Sequence, residues 1–225
     1  MTQPIRGLLI GLLLLSAIAG CGKTNPQNNQ TFQEVQPTST QATPQSSTAP
    51  KQGWKTIAGA GVSLSLPEQY EGGNPSKDIN KIAEKLEAIR PGYSARIESI
   101  KQNPEAIALL AFDAQNANSE FMANVNIAKE QVPNEVTIEQ YLQAATQQLA
   151  AQYKILEQKV VPLEPYQAGR IVAESTVGET TIKQLFYTVK KGNMVWLVTY
   201  STTPAEFDQR LPNFEESIRT LKIEN

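Results

Sequence analysis

The chain of 225 residues has no histidine and one cysteine, Cys21. Without histidine there is no Ser-His-Asp or Cys-His nucleophilic mechanism and no imidazole-ligated zinc. With one thiol there is no disulfide within the chain, so an exported domain must stand on its own core. A glycine-rich phosphate loop is missing too: Gly72-Gly73-Asn74-Pro75 has neither the spacing nor the lysine. No run of alternating Asp and Asn marks a calcium loop, and no internal repeat is visible. Charge of one sign does not dominate. The formal net charge of −2 makes no general case for nucleic acid or for adhesion to anionic lipid. The longest hydrophobic run, Leu8 to Leu15 broken by Gly11, falls short of the ~20 residues a spanning helix needs.

That run is nevertheless informative. Arg6 precedes it, and the small or apolar residues Ala17 to Gly20 follow it. This is the layout of a secretory signal, residues 1–20, with an uncleaved membrane anchor as the alternative. The signal ends on the only thiol, and Ile18-Ala19-Gly20-Cys21 resembles the lipobox of bacterial lipoproteins. The resemblance implies a diacylglyceryl group on Cys21, cleavage after the Ile18, Ala19, Gly20 motif, and acylation of the new amine with a palmitate-type chain. Two or more acyl chains anchor a protein stably where one does not. Loss of Arg6 with the signal leaves the mature chain at −3. By analogy with other diderm lipoproteins, Gly22 rather than aspartate after the cysteine leaves the outer membrane open as a destination. Residues 21–52 are rich in Gln, Thr, Ser and Pro and hold little to bury. They read as a disordered tether, averaging roughly 30 Å end to end.

Residues 53–225 suffice for one globular domain. Val62-Ser63-Leu64-Ser65-Leu66 alternates and stops at Pro67, with Gly53 to Gly61 as its hairpin partner. Ala106 to Asp113 and Phe121 to Glu130 read as a second strand pair, and Tyr153 to Leu163 with Gly169 to Val177 as a third. Thr181 to Thr202 is a hairpin turning at Lys191-Gly192-Asn193. Both of its faces are apolar, which predicts central strands covered on both sides. Helical spacing marks Ile79, Ile82, Ala83, Leu86 and Ile89, with a further helix over Ser94 to Gln102. Thr137-Ile138-Glu139-Gln140 is a capping box, and Thr203-Pro204-Ala205-Glu206 is a second with proline at the first helical position. Pro212 predicts a break in the last helix. The fold class expected is α+β: an antiparallel β-sheet flanked by helices on both faces.

The opening Trp54 with Gly61 to Tyr70 and the close from Met194 to Ile223 resemble the PsbP-like family of bacteria, algae and plants. The likeness rests on Val195 to Ser201, Pro204, Phe207, Leu211-Pro212, Phe214 and Ile218. It covers about a third of the domain, concerns structural positions, and implies an α/β/α sandwich without catalytic residues. The insert Glu71 to Ile89 is similar to that of cyanobacterial lipoproteins. The opening motif of photosystem-II PsbP is absent.

The candidate site residues are few. Glu98, Glu105, Asp113 and Glu120 lie near one hairpin, either as a converging cation site or as solvated strand ends. Lys190 and Lys191 either meet an acidic partner or solvate a turn and discourage edge pairing. Trp196 and Tyr200 either line a pocket or fill the core, and Trp54, first in the domain, is placed to cover a surface groove. No catalytic set, metal site or cofactor is indicated. The expectation is a non-enzymatic accessory or interaction domain. It would be held to a bacterial membrane by its N-terminal lipid and face the periplasm, a thylakoid lumen or the exterior. It would serve the assembly or stability of a membrane protein complex. A small-ligand or lipid carrier of the cell envelope is the second reading. A hydrolase working with two carboxylates is the third.

Overall fold

A computed structural model describes residues 51–91, 94–115 and 121–224, with residues 94–96 and 99 as backbone only. The signal, the lipobox residues Ile18, Ala19, Gly20 and Cys21, the tether up to residue 50, and Glu120 lie outside the described residues. The elements run β1 (Trp54–Ala58), β2 (Val62–Pro67), β3 (Tyr70–Gly73), α1 (Pro75–Ile89) and α2 (Ser94–Gln102). A short 3-10 turn (Pro104–Ala106) precedes β4 (Ile107–Asp113), β5 (Asn124–Gln131), α3 (Ile138–Leu149), β6 (Lys154–Leu163) and β7 (Tyr166–Val177). The chain closes with β8 (Thr180–Lys191), β9 (Met194–Thr202), α4 (Pro204–Ile218) and β10 (Lys222–Ile223).

The strands form two antiparallel sheets. The larger has the order β3-β4-β5-β9-β8-β7-β6, so β8 and β9 lie inside it, as their two apolar faces require. On one face Leu185, Tyr187, Val189, Trp196, Val198 and Tyr200 pack against α4 and the small sheet. On the other, Phe186 and Val195 pack beneath Tyr141, Leu142 and Leu149 of α3. Beside α3, Ile82 and Leu86 of α1 and Ile97 and Ile100 of α2 cover Leu110 and Phe112. The result is an α+β sandwich with helices on both faces of an antiparallel sheet.

Local chemistry explains most boundaries. Asn74 caps α1 by accepting the Ser76 N–H at 3.0 Å, with Pro75 opening the helix. The α3 box forms in full: Thr137 Oγ1 accepts the Gln140 N–H at 3.3 Å, and Gln140 Oε1 accepts the Thr137 N–H at 3.0 Å.

Two expectations are corrected. The box at Thr203 does not form, because Glu206 turns to accept from Thr202 Oγ1 (3.1 Å) and Arg210 Nε (2.8 Å) instead. Pro212 does not break α4, which runs through it. Pro212 and Asp208, whose carbonyl loses its amide donor, are both exposed, so water can take that carbonyl while Phe207, Phe214 and Ile218 stay buried below. The expected β1–β2 hairpin forms and, with β10, makes a sheet of its own, order β1-β2-β10. β10 pairs only with Ser63 and Val62. Two residues on, α4 and its exit supply side chains instead: the Ser65 N–H donates to Thr220 Oγ1 at 2.8 Å, and Ser217 Oγ donates to the Ser65 carbonyl at 2.7 Å.

Candidate functional site

Trp196 and Tyr200 are four residues apart on β9 and share the face that α4 covers. Tyr200 is fully buried, its ring stacked on Phe214 at 4.8 Å and 26°. Its hydroxyl donates to Ser217 Oγ at 3.0 Å, and burial pushes its pKa far above the usual value. Trp196 is 6% exposed, with Lys129 Nζ 6.0 Å above its ring. Both rings are core, and Phe214 fills the space a ligand beside Tyr200 would need.

Trp54 is placed differently. It opens β1, is only half-buried, and lies directly opposite Pro67, so the two side chains share a face. Lys51 Nζ sits 5.5 Å over the indole and pairs with Glu216 of α4 at 2.8 Å. Pro67 in turn borders a shallow dent closed by Gln69, Tyr70, Arg210, Asn213 and Phe214. Its interior, about 10 Å³, has room for a single water. The charge around it is internally balanced. Arg210 donates to Asp113 Oδ2 and to Glu206 Oε2, each at 2.8 Å. Burial outweighs the nearby Arg210 charge and raises the Tyr70 pKa well above normal. Pro67, paired with the partly buried Trp54, thus links the indole to a dent bordered by the held Arg210 and the exposed Asn213, where the chain enters the domain. Tryptophan and arginine are the side chains most enriched among residues that dominate protein–protein contacts.

The other candidates do not converge. Glu98 pairs with Lys101 within α2 at 3.3 Å, Glu105 is exposed on the 3-10 turn, and Asp113 is held by Arg210. Among the described residues no three Asp, Glu, His or Cys side chains group as a metal would need. Lys190 donates to the Asn134 carbonyl at 3.2 Å and Lys191 to the Ile223 carbonyl at 3.0 Å. Both lysines therefore fasten the β8–β9 turn to its neighbours.

One cluster escaped the sequence. Arg170, in the middle of β7, has only 7% of its side chain exposed. It donates to Glu157 Oε2 at 2.7 Å and to Glu215 Oε1 at 3.0 Å, while Tyr187 Oη donates to Glu215 Oε2 at 2.6 Å. Burial works against the Arg170 charge, but the hydrogen bonds to Glu157 and Tyr187 more than offset it, and its pKa rises. Burial likewise opposes the Glu157 charge, and hydrogen bonds from Lys159 and Arg170 bring its pKa below the usual carboxylate range. Every charge in this group has an internal partner, so it is a lock between α4 and the sheet. The available signal was a charge inside the otherwise apolar run Ala168 to Ala173.

No family model matches the chain, and no curated protein matches it by sequence. Solved structures do match by shape. Cyanobacterial PsbP (CyanoP) from Synechocystis sp. PCC 6803 aligns over 80% of this chain and 97% of its own, with TM-score 0.50 and 8% identity. LpqN of Mycobacterium tuberculosis, described as involved in cell envelope biogenesis, aligns over 73% and 83%, with TM-score 0.51 and 10% identity. The fold is PsbP-like. At such identities the likeness is one of architecture, and a PsbP-like fold does not by itself carry an activity.

Proposed function

We propose that the chain is a PsbP-like family member working outside the cytoplasm as a non-enzymatic accessory domain. It is anchored by lipid on Cys21 and contacts a membrane protein complex through the surface around Trp54. The observation that carries this reading is the position of that surface. The partly exposed Trp54 lies at the entry of the domain, three residues beyond Lys51, where a lipid-linked tether would present it towards the membrane. The Ile18 to Cys21 motif supports the anchor, and the described role of LpqN in envelope biogenesis agrees with the compartment. Carboxylates around this surface are engaged, Glu216 by Lys51 and Asp113 and Glu206 by Arg210, which favours binding over acid–base chemistry. The carrier reading gains nothing from Trp196 and Tyr200, whose rings are packed into the core.

Affinity capture of the full chain, tagged at Asn225, from its own membranes in mild detergent tests the proposal, with Cys21→Ser as the control. A stoichiometric membrane protein recovered with the native chain and lost with Cys21→Ser is expected. Equal recovery from both, or none from either, overturns it.

A further inference from the structure

The strand β6 is an outer strand of the larger sheet and is hydrogen-bonded on one side only, to β7. Among the described residues the exposed large hydrophobic side chains are Leu156, at 40%, and Val160, at 37%, and both lie on this strand. Between them runs Leu156-Glu157-Gln158-Lys159-Val160, and this stretch is self-complementary. Reversed about Gln158, it sets leucine opposite valine, glutamate opposite lysine, and glutamine opposite itself. We infer that β6 is an interface for a second copy of this chain: two β6 strands pair antiparallel about a two-fold axis at Gln158, joining two seven-stranded sheets edge to edge.

Several features agree with that register. Residues opposite one another on antiparallel strands point to the same face. Glu157 reaches Arg170 and Glu215 on the α4 side. By alternation Lys159 is on that side too, and it already meets Glu157 at 2.6 Å. The pairing would add the second copy's Lys159 opposite each Glu157, giving a row of four charges alternating in sign. Gln158 and Val160 fall on the opposite face, while Leu156 is the extra residue of the bulge, unpaired with β7, and its exposed side chain would lie at the same end of the pairing as the second copy's exposed Val160. The stretch is bounded at both ends: the register shift falls at Leu156, its first residue, and Pro162, which has no N–H to donate, follows at the other end. These devices usually discourage edge pairing. Here they bracket a short window and leave one register in which the charges match and the exposed leucine and valine come to the same ends. The arrangement is closed, because each copy uses β6 once and the two-fold completes the contact.

A short interface of this kind is read best by trapping it in place. The chain has no cysteine besides Cys21, so single cysteines at β6 report cleanly. Directly opposed antiparallel residues have Cα atoms about 4.5–5.5 Å apart, within disulfide reach. Full chains carrying Gln158→Cys, Leu156→Cys or Val160→Cys would be oxidised in their own membranes, with the unsubstituted chain as background. Gln158→Cys is expected to yield a disulfide-linked dimer. Leu156→Cys or Val160→Cys alone should not, since each lies roughly 13 Å from its own copy. Coexpressed, those two should cross-link to each other. Within Gln158→Cys, adding Leu156→Glu or Val160→Lys should cut the dimer about fivefold, and adding both should restore it through a new pair, a recovery equivalent to ~1 kcal/mol. No dimer at Gln158→Cys above background, or equal yields at all three single positions, overturns the inference. Failure of the double substitution to restore the dimer overturns the register.

Discussion

Replacing Glu215 by alanine removes the group through which α4 holds the buried charge of the sheet. The carboxylate accepts from Arg170 Nη2 at 3.0 Å, Arg170 Nε at 3.1 Å and Tyr187 Oη at 2.6 Å, and its side chain is 29% exposed. Without it, Arg170 keeps Glu157, while the Tyr187 hydroxyl, in a residue only 2% exposed, loses its acceptor. A hydrogen bond to a charged group contributes about 1.5–3 kcal/mol, and an orphaned buried hydroxyl costs about 1–3. The two overlap, because the same carboxylate serves both, so the expected loss is about 3 kcal/mol. For a domain of this size that lowers the melting temperature by roughly 6–12 °C. Tyr187→Phe removes the stranded hydroxyl, so it should soften the effect of Glu215→Ala. The double-mutant cycle should give a coupling of about 1–2 kcal/mol. Tyr200→Phe, which deletes a single neutral bond to Ser217, should cost only about 1 kcal/mol. Chemical denaturation of the unsubstituted chain and these four variants checks the free energies. A Glu215→Ala loss below that of Tyr200→Phe, or a coupling of zero, would refute the reasoning that this cluster locks α4 to the sheet.

Other outcomes follow from single sites. Gly169→Ala would place a Cβ 2.4 Å from Thr188 Oγ1 and 2.8 Å from Leu142 Cδ1, forcing α3 away from β7. It should destabilise by about 1–3 kcal/mol in the same denaturation assay. Glu130 has a pKa raised by burial, against the hydrogen bond from Tyr141, and its Oε1 has no partner. A raised carboxylate pKa costs stability as pH climbs above the unfolded value, so Glu130→Gln should stabilise at pH 7 and lose that advantage near pH 4. Glu71 is the opposite case, lowered by hydrogen bonds from Lys55 and Lys85. Its contribution should fade as pH falls below the ordinary carboxylate range, and Glu71→Gln should flatten that acid limb. Intact-mass analysis of the membrane-extracted protein should show a mature chain beginning at an acylated Cys21. A chain still carrying residues 1–20 would refute the lipobox assignment.

How much was legible in the sequence depended on the length and regularity of each segment. The alternation of Val62 to Leu66 and the two-sided apolar pattern of Leu185 to Val198 reported burial directly, and all three strands stand where that pattern puts them. The Thr137 box was legible because all its partners lie within four residues. The Thr203 box had the same spelling but failed, because Arg210, one turn further on, competes for Glu206. That competition depends on Asp113, about a hundred residues earlier in the chain, which no local reading weighs. The strand β3 was illegible since Tyr70-Glu71-Gly72-Gly73 looks like a loop. It is a strand because Gly72 lets the backbone close on β4, where a Cβ would lie 2.1 Å from the Leu110 carbonyl oxygen. Two-residue β10 carries no periodicity at all. At the candidate surface, Trp54 could be singled out because it is a large aromatic at a boundary. Glu216, which holds Lys51 over its ring, and Asn213, across Pro67, come from a helix far along the chain and could not.

The most direct test of the account is quantitative capture of the membrane partner by the full chain with and without Trp54→Ala. Trp54 is partly exposed and its backbone pairing with Pro67 survives truncation, so the melting temperature should fall only slightly. Loss of a tryptophan that anchors an interface costs about 2 kcal/mol or more. Partner recovery should therefore fall by about tenfold or more while the protein stays at the membrane. Undiminished recovery by Trp54→Ala would contradict the claim that this surface is what the tethered domain presents.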